Sequence, residues 1–212
     1  MVSEGATQQR KQMTVSDYMT ADPLTVSPEE SLAAAQAKMS SRRIRELPVV
    51  DAEGPIGMLT DRDIRQHVGF LQQTKVNAAM STPLVTVSPS STLEQAAQLV
   101  LEHKIGGLPV IDGGKLVGII TTSDLLGAFL ELTGAGEEGT VRIDLASAGE
   151  QADVTDACNI VRREGGTTLS VGTYNDRSDG ARTFYARVRA GDPERIAKAL
   201  AAGGYSVLGI RR

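Results

Sequence analysis

Apolar residues along this chain fall into two rhythms, and the same order of rhythms occurs twice. A short apolar stretch, Leu24-Thr25-Val26, gives way to a helical spacing at Leu32, Ala35 and Met39. Two continuous apolar runs follow, Leu47-Pro48-Val49-Val50 and Ile56–Leu59, separated by an Asp- and Gly-containing turn; together they predict a β-hairpin. The pattern returns 61 residues later as Leu84–Val87, then Leu93, Ala96, Ala97 and Val100, then Leu108–Ile111 and Leu116–Ile120 around Asp112-Gly113-Gly114. Ser27 and Ser88 read as helix N-caps, with Pro28 and Pro89 at the first helical position and Glu30 completing a capping box. A closing helix is expected from Thr60 and from Thr121, the second running through Leu126–Leu132. Each unit is β-α-β-β-α.

The repeat extends to individual residues. Gly57-Met58-Leu59-Thr60-Asp61-Arg62-Asp63 is matched by Gly118-Ile119-Ile120-Thr121-Thr122-Ser123-Asp124, and Val15, Met19, Ile44 and Asp51 by Val76, Met80, Ile105 and Asp112, all without a gap. A register held that long marks a tandem duplication, and two copies are expected to close as a face-to-face pair. The units are placed at 14–73 and 74–132, after a disordered tail at 1–13 and before a linker at 133–139.

From 140 onward the register is lost. Val141–Leu145 alternates like a strand, and Val154, Ala157, Cys158 and Val161 form one helical face. Strands Thr168–Tyr174 and Arg182–Val188 follow, joined by the turn-rich Asn175–Gly180. Asp192-Pro193 caps a helix that buries Ile196, Ala199 and Leu200, and Tyr205–Ile210 closes the chain as a strand. The order βαββαβ is that of a ferredoxin-like sandwich, so the fold class is α+β.

Composition narrows the function. No apolar run approaches the ~20 residues that span a bilayer, and Met1–Met13 has no apolar core segment of the signal-peptide kind. A net charge of −4 argues against a dedicated nucleic-acid binder, and at 3% aromatic residues with no Trp the chain has no evident stacking platform. The single cysteine, Cys158, fits a reducing compartment and reads as core, so a cytoplasmic location is expected. One Cys with isolated His67 and His103 makes a metal site improbable. The Gly-x-Gly-x-x-Gly at Gly134–Gly139 follows a helix rather than a strand and carries two glutamates, the wrong setting for a dinucleotide. No nucleophile–base pair or acid–base dyad emerges, which argues against an enzyme.

The remaining chemistry lies in Thr60/Asp63 and Thr121/Asp124. An N-cap threonine with an acid three residues on satisfies helix amides. The same geometry offers amides to a phosphate and a carboxylate to a ribose. With Leu-Pro-Val-Val-Asp and Leu-Pro-Val-Ile-Asp upstream, the doubled motif resembles a cystathionine-β-synthase (CBS) domain pair over residues 14–132. That resemblance implies two clefts for adenine nucleotides: AMP, ADP, ATP or S-adenosylmethionine. It also implies Asp63 and Asp124 on ribose, Thr60, Arg62, Thr121 and Ser123 near phosphate, and backbone at Ile44-Arg45 and Ile105-Gly106 bordering the ligand. Residues 140–210 resemble an ACT domain, a regulatory fold that dimerises and binds amino acids, although Gln151-Ala152 stands where a glycine is usual. The combination is similar to regulators of the acetoin-utilisation protein B type, which implies a non-catalytic homodimer acting on a protein target the sequence does not name. A structural dimer with empty clefts, or an enzyme acting on nucleotides, are the rival readings. With Arg45, Arg62 and Arg65 assigned to it, the Asp63 cleft is expected to favour the more highly phosphorylated ligands, and the Asp124 cleft AMP or a nucleoside.

Overall fold

Thr14-Val15-Ser16-Asp17 is a third Thr-x-x-Asp, and it makes a plain helix cap. The Thr14 N–H donates to Asp17 Oδ2 at 3.0 Å and closes one helical turn, α1 (Val15–Tyr18). A two-residue strand follows, β1 (Thr20–Ala21). The computed structural model describes residues 13–147, 154–175 and 182–212. Most of the tail expected at 1–13, the Gln151-Ala152 position and nearly all of the Asn175–Gly180 turn therefore lie outside the described residues.

In each repeat the Ser-Pro segment builds a turn, and the helix starts only after it. The Ser27 N–H donates to Glu30 Oε1 at 2.9 Å and the Glu30 N–H to the Ser27 carbonyl at 3.1 Å, so that box closes on itself. Ser31 is the actual cap of α2 (Leu32–Arg42), accepting from the Ala34 N–H. The delay aims Leu32, Ala35 and Met39 into the core, where all three are buried. The hairpin strands are β2 (Glu46–Val50) and β3 (Pro55–Thr60), and α3 (Asp61–Arg65) closes the repeat. In the second copy Thr92 caps α4 (Leu93–His103) in a reciprocal box with Gln95. The hairpin β4 (Gly107–Asp112) and β5 (Lys115–Thr121) turns on Gly113-Gly114, both at positive φ. Its closing helix α5 (Thr122–Thr133) is twelve residues long, against five for α3. The expected first strands shrink to single parallel bridges, Val26 to Val49 and Val87 to Val110.

What holds the two repeats together is an exchange of their leading segments. β1 pairs antiparallel with β5 of the second repeat, Thr20 opposite Ile119, and Ser81 bridges Met58 of the first repeat in the equivalent way. The Val15 N–H donates to the Ser91 carbonyl, and the Val76 N–H to the Glu30 carbonyl, each at 2.9 Å. Val15 and Val76 are fully buried, each against the other repeat's elements. The repeated glycines make room for this. A Cβ on Gly118 would lie 2.5 Å from Met19 Sδ, and one on Gly57 2.8 Å from Met80 Sδ.

The chain divides into two units, Met1–Leu126 and Gly127–Arg212, with the cut inside α5. The second unit contains β6 (Thr140–Ser147), α6 (Val154–Arg163), β7 (Thr167–Asn175), β8 (Arg182–Arg189), α7 (Pro193–Ala202) and β9 (Tyr205–Arg211). Its antiparallel sheet has the order β7-β8-β6-β9. Val141, Ile143, Leu145, Phe184 and Val188 of the sheet pack on Ala157, Ile160, Val161, Ile196 and Leu200 of the helices. Cys158 departs from its expected core position: it is half-buried, and Ala157, Ile160 and Val161 form the buried face of α6. Asp192 caps α7 with Pro193 at its first position, as expected. Asp144, 1% exposed, is held by Arg142 Nε at 2.7 Å and Arg211 Nε at 2.8 Å, while the Arg142 guanidinium lies over the Tyr174 and Tyr185 rings.

Candidate functional site

The exchange of leading segments decides which residues share a cleft. β1 lies along β5, so the chain from Thr20 to Thr25 runs beside the end of β5 and the start of α5. At the end of α2, Arg43 adopts a left-handed conformation (φ 55°) and turns the chain, which sends Ile44-Arg45-Glu46 along the opposite wall. Between them is a cavity of about 870 Å³, within the ordinary size of a small-molecule site. From the second repeat it is lined by Gly106, Thr121, Thr122, Ser123 and Asp124; from the first it takes Arg42, Arg43, Arg45 and Glu46.

Both Thr-x-x-Asp pairs form the same cap. The Thr121 N–H and hydroxyl each donate to Asp124 Oδ2 at 2.7 Å, and the Thr60 N–H and hydroxyl donate to Asp63 Oδ2 at 2.9 and 2.7 Å. The bonds all fall on one oxygen. Oδ1 of either aspartate has no hydrogen-bond partner among the described residues, so capping and ligand binding do not compete for the same atom. For Asp124 that oxygen belongs to a side chain on the cavity wall.

The expected grouping of residues is only partly observed. Asp124, Thr121, Ser123, Ile44, Arg45 and Gly106 come together in one cavity. Thr60, Arg62, Asp63 and Ile105 do not line it. Arg45, expected beside Asp63, lies instead in the cavity with Asp124, and Gly106 joins it there. The reason is geometric: the entry to β2 lies between two helices, its Arg45 carbonyl accepting from the Asp61 N–H of α3 while Arg45 and Glu46 line the cavity at the start of α5. Arg42 and Arg43 also line this cavity, as do Thr20, Asp22 and Thr25 of the leading segment. No periodicity or motif in the sequence singles these residues out.

Glu46 is the odd residue of the site. Its carboxylate fills the space a side chain on Gly106 would need. Burial, with the Asp61 charge adding and Arg45 opposing, pushes its pKa above the usual carboxylate value. No hydrogen bond reaches it among the described residues. Asp61 donates its N–H to the Arg45 carbonyl at 2.9 Å and pairs with Arg65 at 3.0 Å; at the equivalent place Thr122 gives both N–H and hydroxyl to the Gly106 carbonyl.

A two-repeat hairpin-and-helix fold with exchanged leading segments and a cleft under a Thr-x-x-Asp helix defines a class, and comparison with known proteins names it. The CBS domain family model matches residues 15–69 and 76–131. Those segments make up more than half of the chain, which therefore belongs to the CBS domain family. It is 41% identical over 114 residues to the CBS domain-containing protein YhcV of Bacillus subtilis, covering 52% of this chain and 81% of that protein. A putative acetoin utilization protein from Vibrio cholerae is similar in structure, with a TM-score of 0.52, 33% identity, and 59% of this chain and 96% of that one covered. So is the CBS domain pair of protein MJ0100, solved in complex with 5-methylthioadenosine and S-adenosyl-L-methionine (TM-score 0.51, 25% identity, 55% and 98% covered). Inosine-5'-monophosphate dehydrogenase of Staphylococcus epidermidis is 29% identical over 198 residues, and the chain spans 40% of its length.

Proposed function

We propose that this protein is a non-catalytic regulator that senses an adenine nucleotide or S-adenosylmethionine in the cleft at Asp124. The observation that carries this is the free Oδ1 of Asp124 on the wall of a cavity that also holds Arg42, Arg43 and Arg45. In this reading Asp124 takes the ribose hydroxyls, Thr121 and Ser123 lie near the phosphates, the arginines neutralise phosphate, and Ile44, Arg45 and Gly106 border the base. Thr60, Arg62, Asp63 and Ile105 form the corresponding second cleft. The adenosine ligands of the MJ0100 pair support the choice of ligand class. Because the arginines lie beside Asp124, that cleft and not the Asp63 cleft is the one suited to phosphorylated ligands.

The C-terminal unit serves as an ACT-like, ferredoxin-like module for dimerisation or for a second effector; its β7-β8-β6-β9 order supports this. The exposed Leu101 on α4 and Leu126 and Phe129 on α5 support a homodimer, and the target is an unidentified protein of the cytoplasm. No described helix is long and apolar enough to cross a membrane.

Calorimetry with AMP, ADP, ATP and S-adenosylmethionine tests the ligand reading. Asp124→Asn should weaken the preferred ligand by about 10- to 100-fold, the worth of one or two charge-assisted hydrogen bonds. Asp63→Asn should leave the Asp124 cleft unchanged. Unchanged affinity in a folded Asp124→Asn protein would reduce that aspartate to a helix cap. Chromatography of the recovered ligand would expose turnover if the protein were an enzyme.

A further inference from the structure

The two repeats differ at a position where they meet. Arg45-Glu46 of the first repeat corresponds to Gly106-Gly107 of the second, and the Glu46 carboxylate crosses to lie against Gly106. It stands on the wall of the Asp124 cavity with a face toward Asp61 at the start of α3. Of the charged groups around it, Asp124 caps α5 and Asp61 pairs with Arg65, while Arg42, Arg43 and Arg45 supply positive charge from the end of α2 and the entry to β2. Asp22, from the segment after β1, is the remaining acid of the cavity. Among the described acids of the cavity, Glu46 is the half-buried one whose carboxylate has no hydrogen bond.

We infer that Glu46 is the charge-selecting residue of this cleft: its carboxylate penalises each further phosphate on an adenosine ligand, and proton uptake at Glu46 relaxes the penalty. The inference rests on the adenosine-ligand reading of the same cleft and adds a rule for choosing among such ligands. A phosphate brought to Arg42, Arg43 and Arg45 must approach a like charge that Arg45 offsets only in part. An uncharged or cationic 5′ group meets no such penalty. Burial raises the pKa of Glu46, so its protonated fraction is larger in mildly acidic solution than that of an ordinary glutamate. Proton uptake then favours the phosphorylated ligand.

The test is calorimetric titration of ATP and adenosine into the full chain, wild type and Glu46→Gln, at pH 7.5 and 5.5. Gln keeps the shape and removes the charge; Glu46→Gly, which copies Gly107 of the second repeat, serves as an independent second variant. At pH 7.5 either variant should shift the ATP-to-adenosine affinity ratio toward ATP by about three- to tenfold, the size of one like charge in a partly hydrated cleft. At pH 5.5 the gap between variant and wild type should narrow. ATP's own titration cancels because the proteins are compared at equal pH. Equal ratios in all three proteins at both pH values would overturn the role of Glu46 and leave the ligand reading standing. Absence of binding of either compound to any of the three would overturn both.

Discussion

Replacing Gly118 by Ala is the sharpest probe of how the repeats are joined. The added Cβ would sit 2.5 Å from Met19 Sδ and 3.1 Å from the Thr20 carbonyl oxygen. Ordinary contact begins near 3.4 Å, so the methionine must move by about 1 Å and the backbone of β1 must follow. Overpacking of this kind costs about 1–3 kcal/mol. Because φ at Gly118 is not positive, Ala also restricts the unfolded chain and returns about 0.4–1 kcal/mol. The net expectation is a destabilisation of about 0.5–2 kcal/mol, seen as a fall in Tm of about 2–8 °C. Met19→Ala should relieve the clash, so the double variant should lose less than the two single losses summed, by at least about 0.5 kcal/mol. Gly127→Ala is the control: it lies within α5, its Cβ would meet nothing within 4 Å, and it should stabilise by about 0.5–1 kcal/mol. A Gly118→Ala protein at least as stable as wild type, or strictly additive losses, would refute the account of the exchanged segment.

Other expectations concern charge. Glu46→Gln should raise stability at pH 7 and change it little near pH 4. A carboxyl whose folded pKa is raised costs stability as pH climbs from its unfolded to its folded value, and melts across pH 4–8 check this. Glu30 behaves oppositely. Burial opposes its ionisation, but Lys38 at 2.8 Å and the Ser27 N–H outweigh burial and lower its pKa, so its contribution is present above the unfolded pKa and lost as pH falls through the folded one; Glu30→Gln should remove that acid-side slope. Asp144→Asn should destabilise the C-terminal unit by about 1–3 kcal/mol, because Arg142 and Arg211 lose a buried partner; proteolysis should cut that unit first, and resistance equal to wild type would contradict it.

Much of this molecule is legible in the sequence because it was copied. Leu47, Val49 and Leu59 and their counterparts Leu108, Val110 and Ile120 are all buried where the doubled apolar pattern put them. The Thr-x-x-Asp pairs were equally readable, since a cap needs only four adjacent residues; Thr14/Asp17 shows that the spacing alone does not make a site. The helix start expected at Ser27 falls at Ser31, because the Ser-Pro-Glu-Glu turn satisfies its own amides before the helix begins. The leading strands were invisible. Thr20–Ala21 is two residues long, too short for any periodicity, and its partner is nearly a hundred positions away. With that strand hidden, chain proximity alone groups Arg45 with Asp63, whereas the fold also brings it to the cavity at Asp124.

A repeat cut from this chain would carry an arm whose docking surface had been left on the other piece. Two copies of such a fragment could satisfy each other by domain swapping, and the product would be a symmetric dimer with two identical clefts. Joining the copies in one polypeptide lifts that restriction. A symmetric pair cannot set Arg45-Glu46 against Gly106-Gly107, because a substitution on one side is made on both. In the fused chain the two halves are free to diverge, and the Asp124 cavity can hold Arg45 and Glu46 from one repeat opposite Gly106 from the other. Covalent fusion here does more than raise local concentration; it lets two copies of one unit carry unlike residues at equivalent positions.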